Sequence, residues 1–271
     1  MNKTFLALLE EATFTKEILA SGVTQIRNAN YARKGLYFQS FTSLATGLER
    51  IGKLCLMLDY YIKTGGQFPD LKFVKNKIGH DLQIIYTKSK AVVCDYNIEF
   101  SFQNNIDGSL HQEILKILSA FAKGDRYSNI NFLVTQTRES DPIYYWYTKV
   151  DKVLYEQRVS VKKKKTIEFN AEIIDKFMTP LAMVRHTSET RDEINLIKDA
   201  SFATGMNESV AKYRQLYLLQ IIRYWVELLW GLQSLSSKIN HEDIPFFSEI
   251  FAIFYNEDKY LMTRKTFDKK Q

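Results

Sequence analysis

Four histidines, His80, His111, His186 and His241, are the side chains best suited to proton transfer near neutral pH in this 271-residue chain. None has a second histidine four residues away, the spacing that turns two imidazoles toward one metal, and no CxxC or HExxH is present. No metal site and no cofactor are therefore expected. Gly-rich phosphate loops and a nucleophile elbow are also missing, which leaves histidine, arginine and carboxylate chemistry to consider.

Three short clusters combine charge with small residues: GLERIGK (47–53), KIGHDL (77–82) and GDRYSN (124–129). In the first, Glu49 precedes Lys53 by four residues, the favourable order for an intrahelical pair worth about 0.3–0.5 kcal/mol. A surface ion pair is the plain reading. In the second, His80 stands two residues after Ile78 and two before Leu82, near an apolar stripe. It reads either as a hydrogen-bonded core histidine or as an acid–base group oriented by Asp81. In the third, Arg126 offers a fork of donors to a phosphate, or else caps a helix end or pairs with Glu49. Arg50, Tyr127 and Asn129 complete the polar set that a structural network would use.

These residues must be positioned by helices. Leu8, Ala12, Leu19 and Ile26 recur at helical spacing within residues 3–29, and Leu44, Leu48, Ile51, Cys55, Leu58 and Ile62 step by four and three until Gly65-Gly66. The two segments are expected to pack antiparallel. Pro69-Asp70 opens a third segment in which Leu71, Val74, Ile78, Leu82 and Ile85 share one face, so the spacing predicts one helix of about six turns, with Gly79 marking close packing. A further helix is predicted over 110–122, an ordered loop over 124–142 and a Tyr-rich helix over 143–159. The segment VSVKKKKTIEF (159–169) is expected to form a short hairpin, its four lysines a solvated connection. Helices over 171–184, 188–200 and 208–238 follow.

Composition agrees with an all-α fold. Hydrophobic residues make up 45% of the chain, enough for a sizeable core, and the four prolines all fall between periodic segments. The two cysteines have no paired spacing, so a reducing, cytoplasmic setting is expected. Arg223 and Glu227 interrupt the most hydrophobic stretch, 216–235, which reads as a buried helix rather than a membrane span. The formal charge of +6 favours phosphate backbones only mildly, and the aromatics 144–147 and 224–230 point all around their helices, so most are packing residues rather than base-stacking ones.

The order of GLERIGKL, then KNKIGHDL, then AFAKGDRYSN on successive helices resembles bacterial members of the HEPN superfamily of helical bundles, over roughly residues 1–160. The resemblance implies an antiparallel bundle with a C-terminal helical extension, 161–271, packed on it. It also implies self-association through the bundle, RNA as a partner, and metal-independent cleavage in phage defence or a toxin system. Active members use an Arg followed four to six residues later by a His. Here His80 matches the His, but Lys75 stands five residues before it and no Arg lies in 71–85. On this basis His80 is the acid or base, Asp81 its orienter, and Lys75 or Arg126 the stabilising cation. Lys75 lacks the planar fork of Arg, so the alternative is an inactive interaction module that binds a partner protein and keeps these residues as a polar network.

Overall fold

The computed structural model describes residues 2–137 and 140–268. Asn2 accepts from the Phe5 amide and so caps α1 (Lys3–Asn28). Asn30 caps a 3-10 turn, Tyr31–Arg33, that leads into α2 (Gly35–Lys63). Ser40 Oγ donates to Gly22 O at 2.9 Å, and Arg50 meets Glu11 at 2.8 Å one stretch further on. Advancing on α2 thus retreats on α1, the antiparallel hairpin the periodicity predicts.

The third segment is not one helix. A single turn, α3 (Leu71–Phe73), continues as a π-turn through Val74–Ile78 and stops at Gly79, whose φ of +79° lies in the region that disfavours side chains. A Cβ placed on Gly79 would meet nothing within 4 Å, so left-handed backbone, not close packing, is what the glycine supplies. Asp81 then starts α4 (Leu82–Tyr96) by accepting from the Gln83 and Ile84 amides. Apolar periodicity carries straight across this break because Ile78 and Leu82 are both buried.

Close packing lies instead at Gly52, where a Cβ would stand 2.4 Å from Ile85 Cγ2. The pairs Gly52 with Ile85 and Lys63 with Asp95 advance together, so α2 and α4 run in the same sense, the α3 segment having carried the chain back. α5 (Ser109–Lys123) returns antiparallel to α4, its Ser119 Oγ accepting from Leu82 N at 2.9 Å.

The predicted loop over 124–142 holds a 3-10 turn, Asp125–Tyr127, and a short helix, α6 (Ser128–Thr135); Arg138 and Glu139 fall outside the described residues. α7 (Pro142–Trp146), a π-turn at Tyr147–Asp151 and α8 (Lys152–Arg158) form the Tyr-rich helix. The expected hairpin at 159–169 is replaced by α9 (Val161–Met178). Ser160 caps it through the Lys163 amide, and Ile167 and Ala171, four apart, are its buried residues. The strands among the described residues lie later, β1 (His186–Thr187) and β2 (Glu193–Ile194), antiparallel with His186 opposite Ile194. This hairpin, with its loop, replaces the first half of the helix expected over 188–200, and the last residues of that segment open the next helix at Ile197.

α10 (Ile197–Ser237) has 41 residues, a length of about 60 Å at 1.5 Å rise. Its buried stripe, with Leu219, Ile222, Val226 and Leu229, joins Leu19 of α1, Leu48 of α2, Ile85 of α4 and Leu115 of α5 in one cluster. The core therefore continues across residue 160. Among the described residues no helix is long and apolar enough to cross a membrane, and stretch 216–235 is buried as expected. α11 (Phe247–Ile250) and α12 (Asp258–Thr263) close the fold against α10.

Candidate functional site

The break at Gly79 puts His80 outside the helical register, and its side chain is 67% exposed rather than set in the core. His80 Nδ1 lies 2.8 Å from Glu49 Oε1, and Lys53 Nζ reaches the same oxygen at 2.7 Å while standing 3.3 Å from the ring nitrogen. Two motifs separated by a turn and a reversed segment thus converge on one carboxylate. With the Nδ1 hydrogen donated to Glu49, the ring presents Nε2 to solvent as a base.

Asp81 does not orient His80. One of its oxygens caps α4 and the other pairs with Lys123 at the end of α5, contacts that hold its carboxyl below the usual range against the opposing effect of burial. Glu49 takes the orienting place. Lys75 is exposed on the π-turn and makes no side-chain hydrogen bond or ion pair among the described residues. Arg126 stacks its guanidinium 5.0 Å from the Tyr127 ring instead of meeting Glu49. Asn129 accepts from Arg191, and Arg50 turns to Glu11. The expected polar network is therefore divided into separate surface pairs.

A groove of about 550 Å³ between α1 and α2 begins at this cluster. Lys3, Arg50 and Lys53 lie on its wall, and Leu54, Met57 and Phe68 supply apolar surface. Lys53 belongs to both groove and cluster. The arrangement can seat a flat apolar group beside an anion and hold that anion next to a base.

A second polar centre lies deep in the molecule. Arg214 is fully buried on α10, with Nη1 3.3 Å from Asp151 Oδ2, 3.2 Å from Tyr37 Oη and 3.1 Å from Ala29 O, while Nη2 donates to Asn207. Trp146 Nε1 donates to Asp151, and Glu189, from the strand-flanking loop, accepts from Tyr37 and Asn207. One guanidinium thus faces two carboxylates. Burial, opposed by Arg214 and reinforced by Glu189, pushes the Asp151 carboxyl up to about 6. Sequence reading passed over this group, although Arg214 falls on the register of Val210 and Leu218, where a charge calls for a buried partner.

Among the described residues no three His, Cys, Asp or Glu side chains gather as a metal site. No protein-family model, curated protein or solved structure matches this chain.

Proposed function

We propose that the chain is an HEPN-like RNA-binding protein that cleaves RNA at the His80 cluster. The observation that carries the reading is the contact of Glu49 with His80, which leaves an oriented imidazole facing solvent beside a cation and at the mouth of a groove. Met57 and Phe68 offer apolar surface to a base, and Lys53 and Lys3 offer charge to phosphates, while Arg50 is held by Glu11 on the groove wall.

In the proposed step His80 Nε2 takes the proton of a ribose 2′-hydroxyl. The 2′-oxygen bonds to the adjacent phosphorus, the bond from phosphorus to the 5′-oxygen breaks, and the departing oxygen takes a proton from water. Lys53 offsets the charge that builds on the phosphoryl oxygens, the duty that the resemblance assigns to Lys75 or Arg126. The products are a 2′,3′-cyclic phosphate and a 5′-hydroxyl. The resemblance further associates such chemistry with phage defence or toxin systems inside the cell.

The alternative, an inactive module that binds a partner protein, draws support from the unpartnered Lys75 and from the way Glu49 fastens the helix break to α2. Purified wild type and His80→Ala are incubated with RNA in chelator and the fragment ends mapped, with thermal melting followed in parallel. Cleavage to cyclic-phosphate ends by wild type alone, at equal melting temperature, supports the nuclease. A wild type that neither cuts nor retains RNA refutes it and leaves the module.

A further inference from the structure

Glu189 is a buried charge without a cation of its own. It is 3% exposed, and its Oε1 accepts from the hydroxyl of Tyr37 and the amide of Asn207, both neutral donors. Among the described residues no Lys, Arg or His forms an ion pair with it, and Arg214 acts on it only from beyond ion-pairing distance. A carboxylate held away from water calls for a positive partner.

Glu189 lines a cavity of about 240 Å³ bounded by the first turn of α2, the starts of α6 and α7, and the loop between β1 and β2. Ser128, 5% exposed, lines it too, and its Oγ has no hydrogen-bond partner. Two cations border the same space. Lys34 Nζ donates to Thr187 Oγ1 and Ser188 O and keeps a third hydrogen, while Arg191 donates through Nε to Asp141 and through Nη2 to Asn129 and keeps Nη1. Arg191 holds a φ of +71°, uncommon for a residue with a side chain, and Ser188 Oγ fixes the loop by accepting from the Thr190 and Asp192 amides. Phe38 and Ile143 add an apolar wall.

Charges of both signs around one cavity discriminate among ligands. A simple anion such as phosphate would lie against Glu189, and a simple amine against Lys34 and Arg191, whereas a zwitterion answers both. We propose that this cavity binds a free α-amino acid with an apolar side chain. Its ammonium pairs with Glu189 and donates to Ser128 Oγ, its carboxylate accepts from Arg191 Nη1 and Lys34 Nζ, and its side chain rests on Phe38 and Ile143. The volume lies below the range of about 300–1,000 Å³ typical of sites for drug-sized molecules, in keeping with so small a ligand. None of these residues belongs to the His80 cluster or its groove, and the site stands whether or not that cluster cuts RNA.

Isothermal titration calorimetry of the whole chain with L-valine, L-leucine, L-isoleucine and L-methionine tests the assignment, with inorganic phosphate as a control. At least one of the four binds, and its N-acetylated and amidated forms, each lacking one charge, bind at least about tenfold more weakly. Ser128→Ala removes a hydroxyl that no protein group uses, so it keeps the melting temperature and weakens binding about tenfold. Glu189→Gln keeps an acceptor oxygen for Tyr37 and Asn207 and weakens binding about a hundredfold. No binding of any of the four up to about 10 mM overturns the proposal. Blocked forms that bind as well as the free amino acid, phosphate taken up in its place, or full affinity in both variants overturn it equally.

Discussion

Arg214 and Asp151 are held 3.3 Å apart in a region of the core where both side chains are shut away from water. Their pairing does not neutralise the site, because Glu189 brings a second carboxylate to Tyr37 on the other side. The folded protein therefore binds a proton on Asp151 up to about pH 6, whereas the unfolded chain loses it near 3.8. Between those values the native state holds more protons than the unfolded one, so this group's contribution falls as pH rises, by about 2–3 kcal/mol across the window. His111, half-buried and with its pKa lowered chiefly by desolvation, acts in the opposite sense. The measurement is thus the difference between wild type and Asp151→Asn in denaturant melts from pH 4 to 7. The variant gains relative stability as pH rises. A difference independent of pH would show that Asp151 stays ionised.

Removing the guanidinium is a harsher test. Arg214→Met leaves two buried carboxylates without their cation and should cost about 3–5 kcal/mol, read as a drop in the denaturant midpoint. Adding Asp151→Asn to Arg214→Met recovers part of that loss. If the double variant is less stable than the single by the full effect of Asp151→Asn alone, the two groups are not coupled.

Two glycines separate backbone from packing effects. Gly79→Ala places a side chain at a φ of +79° with open space around it and is expected to cost about 1 kcal/mol. Gly52→Ala keeps helical backbone but drives a methyl into Ile85, with an expected cost of about 1–3 kcal/mol. Ile85→Ala, which removes the Cγ2 methyl, should relieve the second and leave the first untouched, which thermal melting of the single and double variants resolves.

At the surface cluster the roles divide by charge. Lys53→Met removes the cation beside His80 and is expected to slow RNA cleavage by about a hundredfold with little change in melting, since the pair it forms with Glu49 is partly exposed. Glu49→Gln keeps a hydrogen-bond acceptor for the ring and should reduce the rate less than His80→Ala. Cleavage unaltered by Lys53→Met would remove that side chain from the mechanism.

The helical character and the α1–α2 hairpin were legible because periodicity reports burial directly. Where the sequence misled, a local signal was overruled. Ile78 and Leu82 kept the apolar rhythm across a break made by Gly79 and Asp81, and alternation around the lysine run imitated a hairpin that Ser160 capped as a helix. Glu49, Lys53 and His80 were each visible as candidates, but their meeting depends on α2 and α4 running in the same sense. Arg214 was hidden for the converse reason, that its partners come from α2, the π-turn after α7 and the loop between β1 and β2.

The position of α10 has a consequence for how the protein is made. Its buried stripe, around residues 216–232, fills the space among helices that were synthesised up to two hundred residues earlier. Until that stripe leaves the ribosome, Leu19, Leu48 and Ile85 have no complete core to enter, and the nascent α1–α5 region must wait with apolar surface uncovered. Folding of the α1–α5 region is thereby tied to the synthesis of α10, and a stop codon placed after residue 160 would release a species suited to chaperones rather than a smaller working bundle.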